Sequence, residues 1–201
     1  MNYRWEILEK TTCYEGFFRL ERYRLRHELF SGGWGEGLIR ELLERGHAAG
    51  ILLYDPIQDS VVLVEQFRIG ALEARGGPWL LEVVAGITEA GEDPAEVARR
   101  EAVEEAGCEV QDLVYMTEFV LSPGGSSETL TLYCGRVQAP ASGGIHGVRH
   151  EGEDIRVHVL TVDEALALLE GQRLLSAMTI IALQWLALHR EELRQRWGKG
   201  E

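Results

Sequence analysis

Glu101, Glu104 and Glu105 fall within five residues. If that segment is helical, Glu101 and Glu105 share one face and Glu104 adjoins it. Like charges four apart weaken a bare helix by about 0.2–0.5 kcal/mol. A hard divalent cation bound through carboxylate oxygen would offset that cost, which makes this face a candidate metal site. Arg100 is four residues from both Glu96 and Glu104 and could hold the cluster by ion pairing. Gly86 and Gly91, just upstream, allow tight backbone beside a ligand. A second acidic group, Glu151, Glu153 and Asp154, ends the glycine-rich stretch 143–154. Such a loop is either a solvated tip or, beside a metal-charged helix, a cover that supplies a general base. His146 and His150 sit in the same stretch, but their spacing assigns neither a role. Taken alone, an acidic run of this kind reads first as a solvated helix face.

The elements that must carry these groups can be read around them. Asp93 followed by Pro94 starts a helix, with Glu96 completing a capping box, and Gly107 stops it. A second helix follows Thr161, with Glu164 three residues on. A third runs from Ser176 to about Trp197, with Ile180, Leu183, Leu186 and Leu188 as its apolar face. Residues 48–54 and 61–66 flank a turn, Asp55-Pro56-Ile57-Gln58-Asp59, and read as a hairpin. Residues 79–84, ending at Gly86, and 113–119, 129–136 and 155–161 are further strand candidates. Trp79 and Trp185 lie among aliphatic residues and are predicted in the core. Upstream, large and polar side chains alternate from Phe18 to Leu29, as on a half-buried strand, and their phase slips between Leu20 and Tyr23 as at a bulge. Gly32 and Gly33 mark a turn, and residues 38–44 form a short strand or helix. Strands interleaved with helices on a mixed sheet indicate an α+β or α/β sandwich. The opening segment, of about 45 residues, makes a small core by itself and calls for a partner surface.

The chain has 201 residues, of which 33 are acidic and 20 basic, a net charge of -13. Such a surface repels nucleic acid and anionic membranes, so neither is an expected partner. A small phosphorylated ligand remains admissible, because metal ions can mediate between carboxylates and phosphates. No apolar run approaches the ~20 residues of a membrane span. The opening MNYRWEILEK has no signal-peptide core. Cys13, Cys108 and Cys134 are odd in number and lack metal-site spacing. Together these features predict a cytoplasmic, soluble protein.

The stretch 86–108, GITEAGEDPAEVARREAVEEAGC, resembles the Nudix box, Gly-x5-Glu-x7-Arg-Glu-U-x-Glu-Glu-x-Gly-U, with U a bulky aliphatic residue. Gly86, Glu92, Arg100, Glu101, Glu104, Glu105 and Gly107 occupy every fixed position, while Ala102 and Cys108 fill the U positions with small side chains. Pro123 lies 15 residues beyond Cys108, which is similar to the ADP-ribose pyrophosphatase branch of that family. The likeness extends through ERGHAA, LVEQFRIGA, PWLLEVVAG, GIHG and IALQWLALH.

The resemblance implies a Nudix α/β/α sandwich with a mixed sheet over 47–201, preceded by a small antiparallel β domain over 1–46 that is exchanged across a homodimer. It implies Mg²⁺-dependent hydrolysis of ADP-ribose to AMP and ribose 5-phosphate by a metal-activated water. Two or three Mg²⁺ ions would serve each site, with Mn²⁺ able to substitute. Their ligands would be Glu101, Glu105, the backbone carbonyl of Ala85, and Glu153 once substrate is bound; Glu104 is a further ligand or an orienter. Glu151 matches the loop glutamate that acts as general base, with Glu153 as its rival. Arg68 and the backbone of Ile87 would contact the nucleotide. Phe17 and Phe18 would reach adenine from the second subunit, with Arg40, Glu41 and Arg45 shared across the interface. Ser122, Pro123, Gly124 and Glu128 would line the ribose-phosphate end. Two alternatives are a Nudix pyrophosphatase for another sugar nucleotide, such as ADP-glucose or GDP-mannose, and a non-catalytic ADP-ribose sensor.

Overall fold

The computed structural model describes residues 3–148, 150, 152–171 and 173–198. The chain divides into two compact units, Met1–His47 with Phe119–Leu130, and Ala48–Glu118 with Thr131–Glu201.

The first unit is built on a three-stranded antiparallel sheet of β1 (Trp5–Glu15), β2 (Arg19–His27) and β3 (Leu38–Glu44), in that order. Strand β1 is absent from the sequence reading. Its residues are exposed except Thr11, so it carries no buried-exposed alternation to detect. The irregularity expected within β2 lies opposite it instead. Thr12 pairs with Glu21 and Tyr14 with Leu20, which leaves Cys13 as the extra residue on β1. Residues 122–127 are clipped to β3 by bonds from the Leu43 amide to the Gly125 carbonyl (2.8 Å) and from the Ser127 amide to the Leu43 carbonyl (3.3 Å).

The second unit holds an eight-stranded mixed sheet. Its strands are β4 (His47–Asp55), β5 (Ser60–Phe67), β6 (Trp79–Glu82), β7 (Val84–Thr88), β8 (Asp112–Val120), β9 (Thr129–Arg136), β10 (Ile145–His146) and β11 (Ile155–Thr161). The main order is β10-β11-β5-β4-β9-β8, with β6 on β5 and β7 on β4. Residues 79–84 are therefore not one strand. They break at Val83 into two strands with different neighbours, and the second continues through Gly86.

Helix α1 (Pro94–Ala106) lays Val97, Ala98, Ala102 and Ala106 onto Ile51, Leu53, Val62 and Val64. Small side chains at Ala102 and Cys108 let it sit close, and both are buried in that core. The other face of β4 and β5 buries Leu52, Tyr54, Val61 and Leu63. On that side Arg190 of α3 (Ala177–Trp197) pairs with Asp59, which also accepts the Tyr54 hydroxyl at 2.8 Å. Helix α2 (Val162–Glu170) is entered through the reciprocal Thr161–Glu164 box.

Three packing expectations are corrected. Leu188 is 83% exposed, because it lies two residues past buried Leu186 and so faces away from it on the helix. Trp79 is 62% exposed and meets Phe67 edge to face at 5.6 Å, whereas Trp185 is half-buried and stacks on His189. At the start of α1 the Asp93 carboxylate caps the Ala95 amide at 2.9 Å, but Glu96 turns to Arg99 at 3.8 Å and does not close a box.

Candidate active site

Helix α1 presents Glu101 and Glu105 on its sheet-facing side, as their spacing predicts. Glu105 is 3% exposed. Among the described residues its oxygens are met by neutral donors, the Ala85 amide on β7 at 3.2 Å and the Gln66 side-chain amide on β5 at 3.4 Å. Burial pushes its carboxyl up to about 8, and the nearby charges of Glu101 and Glu153 push the same way. Burial also raises Glu101; Arg100 opposes that rise, while Glu104 and Glu153 add to it. These cross-effects bring Glu101, Glu104, Glu105 and Glu153 into one electrostatic neighbourhood.

The loop before α1 fits tightly over this face. A Cβ at Gly86 would overlap the Glu101 side chain, so any other residue there would displace that carboxylate. Arg100 does not hold Glu96 or Glu104. Its guanidinium reaches back to Glu92 at 2.8 Å and to Glu101 at 3.2 Å. Helical spacing did not reveal this, because Glu92 lies in the loop before the helix. Glu153 accepts the Val148 amide at 2.8 Å. Glu151 lies outside the described residues.

Arg68, just past β5, binds Glu82 at 2.6 Å, and its positive charge also lowers the Glu105 carboxyl. Gln66 and Glu82 are buried polar groups to which the sequence assigned no role. Their partners are 39 and 14 residues away, so no local pattern could reveal them. Ala85 and Ile87 both lie on β7, Ala85 with its amide on Glu105 and Ile87 partly exposed.

In the first unit a separate group forms around Arg45. Its guanidinium pairs with buried Glu128 at 3.2 Å and lies 5.4 Å over the Phe18 ring. One nitrogen of Arg45, Nε, is buried without a partner among the described residues. Phe17 and Phe18 are not strand residues. With Gly16 they form the turn between β1 and β2, and Phe17 is 85% exposed. Arg40 and Glu41 lie on β3, both exposed, and Arg40 donates to the Ile39 carbonyl. Ser122, Pro123 and Gly124 form an exposed turn in which the Ser122 carbonyl accepts from Gly125 and Ser126.

The carboxylate cluster has the oxygen donors that a hard divalent cation requires. Among the described residues, no three acidic, histidine or cysteine side chains are gathered closely enough to hold an ion at once. Arg100 holds Glu101 and the Val148 amide holds Glu153, so both carboxylates would turn from these partners to share one. Chemically, the group can bind divalent metal and, through it, a phosphate. Among the described residues, no helix is long and apolar enough to cross a membrane.

A family model described as the NUDIX domain matches residues 44–178. The ADP-ribose pyrophosphatase of Escherichia coli (strain K12) is 48% identical over 193 residues, 96% of this chain and 92% of that protein. The GDP-mannose pyrophosphatase of Yersinia enterocolitica serotype O:8 / biotype 1B is more distant, at 33% over 190 residues, 94% of this chain and 95% of that protein. A solved structure described as an ADP compounds hydrolase shares the fold, with a TM-score of 0.70 at 21% identity over 96% of both chains. The box residues lie on a capped helix and a close-fitting glycine loop, and the family model spans most of the second unit; the chain belongs to the Nudix hydrolase family.

Proposed function

We propose that the protein is a Mg²⁺-dependent ADP-ribose diphosphatase that converts ADP-ribose and water to AMP and ribose 5-phosphate. The observation that carries the metal-dependent chemistry is Glu105, a buried carboxylate among like charges with no ion-pair partner among the described residues. The choice of ADP-ribose is supported by the 48% identity to the Escherichia coli enzyme of that name.

Glu101, Glu105 and the Ala85 carbonyl are the proposed ligands, joined by Glu153 once substrate is bound. Two or three Mg²⁺ ions, when bound, would neutralise the pyrophosphate and lower the pKa of a water. The protein's own part is to orient and to move a proton. Gln66 and the Ala85 amide fix the Glu105 carboxylate, and Arg100 fixes Glu101. Arg68 and the Ile87 backbone contact the nucleotide. Glu151 accepts the proton of the attacking water, because a base must stay outside the carboxylates occupied by cations. Ser122, Pro123, Gly124 and Glu128 line the ribose-phosphate end.

The protein acts in the cytoplasm as a homodimer with an N-terminal domain over 1–46 and a catalytic domain over 47–201. Phe17, Phe18, Arg40, Glu41 and Arg45 of each copy serve the site of the other. Light scattering should give twice the 22.5 kDa chain mass; a monomer with full activity would overturn the shared site.

The test of substrate is turnover of a panel of nucleoside diphosphate derivatives with Mg²⁺, products separated by chromatography. ADP-ribose should have the highest kcat/KM and yield AMP. Preference for GDP-mannose would instead align the chain with its more distant relatives.

A further inference from the structure

The base of the loop that carries Glu153 is seated on the end of α1 by a contact with no counterpart in the proposed chemistry. Helix α1 stops at Gly107 in the left-handed conformation, φ 64°. The last four carbonyls of a helix lack partners within it. Here Gly107 donates to the Val103 carbonyl and Cys108 to that of Ala102, while the Glu104 carbonyl is taken by the Gly147 amide at 3.3 Å. The loop therefore caps the helix that carries the acidic cluster.

Beside that bond lies the His146 ring, on β10. A Cβ at Gly107 would stand 2.8 Å from the ring's Cε1, and a Cβ at Gly144 would stand 2.9 Å from its Nε2. Two glycines thus make the slot that the imidazole fills. Gly147, at φ 98°, then turns the chain, and a Cβ there would come within 2.8 Å of the Glu153 Cβ. The Val148 amide closes the arrangement on the Glu153 carboxylate at 2.8 Å. From helix end to Glu153 the path is continuous, through Gly107, His146, Gly147 and Val148.

We propose that His146 is a positioning residue, whose ring locks the loop base onto α1 and so sets Glu153 beside Glu101 and Glu105. The role rests on the reading of Glu153 as a metal ligand. It also gives the final glycine of the box a second task, since Gly107 both ends the helix and leaves room for the ring. The ring acts by filling space, so its shape matters more than its nitrogens.

The test compares wild type, His146→Ala and His146→Phe, the last keeping a flat ring of similar size. Three quantities are measured: hydrogen exchange at the Gly147 and Val148 amides in metal-free protein, Mn²⁺ affinity by titration with a non-hydrolysable ADP-ribose analogue bound, and kcat and KM for ADP-ribose. His146→Ala should speed exchange at both amides, weaken Mn²⁺ on the order of tenfold, and lower kcat by a similar factor with KM little changed. His146→Phe should restore most of all three. Wild-type exchange in a folded His146→Ala protein would overturn the docking. Faster exchange with unchanged Mn²⁺ affinity would overturn the proposal through its Glu153 reading, leaving the contact itself intact. An unfolded alanine variant leaves the phenylalanine variant to decide, and loss of Mn²⁺ affinity there despite a native melt would overturn the space-filling role.

Discussion

Glu128 in the first unit and Glu105 in the second are buried to nearly the same degree, 5% and 3% exposed, but they are neutralised in opposite ways. Glu128 has the guanidinium of Arg45, and Glu21 on β2, also buried, has Arg19 at 3.1 Å and Lys10 at 3.6 Å. Glu105 has two neutral amides and two like-charged neighbours. Arg68, whose charge lowers the Glu105 carboxyl, is committed to Glu82. Burying a carboxylate costs several kcal/mol unless a cation or a proton compensates it. At Glu128 and Glu21 the chain supplies the cation from its own sequence. At Glu105 the described residues supply none, which leaves the carboxylate to a proton or to an ion from solution.

The largest effect should come from removing that one charge. Glu105→Gln keeps the shape and the Ala85 bond, and the Gln66 amide can turn its oxygen to meet the new NH₂. Turnover should still fall on the order of a hundredfold to a thousandfold, as when a group stabilising transition-state charge is lost. Steady-state kinetics at saturating Mg²⁺ with a circular dichroism melt would check it. Near-wild-type rates would make the acidic face a solvated surface.

Next in size is a change that makes Glu128 resemble Glu105. Arg45→Met leaves Glu128 buried without its cation and should destabilise the protein by roughly 2–4 kcal/mol, toward the lower end because Arg45 is partly exposed. Urea unfolding measures it. A loss of less than about 0.5 kcal/mol would place this pair with ordinary surface pairs.

Smaller again is a dependence on pH. The Glu105 carboxyl is raised in the fold from 4.5 to about 8. Between those values the folded state holds a proton that the unfolded chain has released, so the folded state binds more protons there. Metal-free stability should therefore fall as pH rises from about 4.5 to about 8 and level off above, as far as this group is concerned. Glu105→Gln should remove that slope and be more stable than wild type at pH 9 in EDTA. Parallel wild-type and variant curves would show that Glu105 carries no buried-charge penalty.

The local features of the acidic helix were legible because local chemistry fixes them. Asp93 and Pro94 open α1, Gly107 closes it, and 3.6-residue periodicity then puts Glu101 and Glu105 on one face. The hairpin of β4 and β5 was equally plain, since two apolar runs flank a turn. What failed was set by distance or by absence of pattern. Strand β1 is exposed on both faces and shows no alternation. Trp79 looks like core by its neighbours in sequence, yet β6 leaves it beside Phe67 on an open face. Arg100 was assigned to helical neighbours, but a long guanidinium can reach the preceding loop. The neutral surroundings of Glu105 among the described residues come from strands and a helix together, and spacing along the chain cannot express them.

The most direct test is Mn²⁺ binding to the otherwise metal-free protein near neutral pH, by calorimetry in two buffers of different ionisation enthalpy, for wild type, Glu105→Gln and Glu128→Gln. A carboxylate that holds a proton until metal arrives must release it on binding. Wild type and Glu128→Gln should bind Mn²⁺ with release of a proton fraction to the buffer. Glu105→Gln should bind far more weakly and release a smaller proton fraction. Wild-type affinity and proton release in Glu105→Gln would contradict the assignment of Glu105 as the carboxylate reserved for metal.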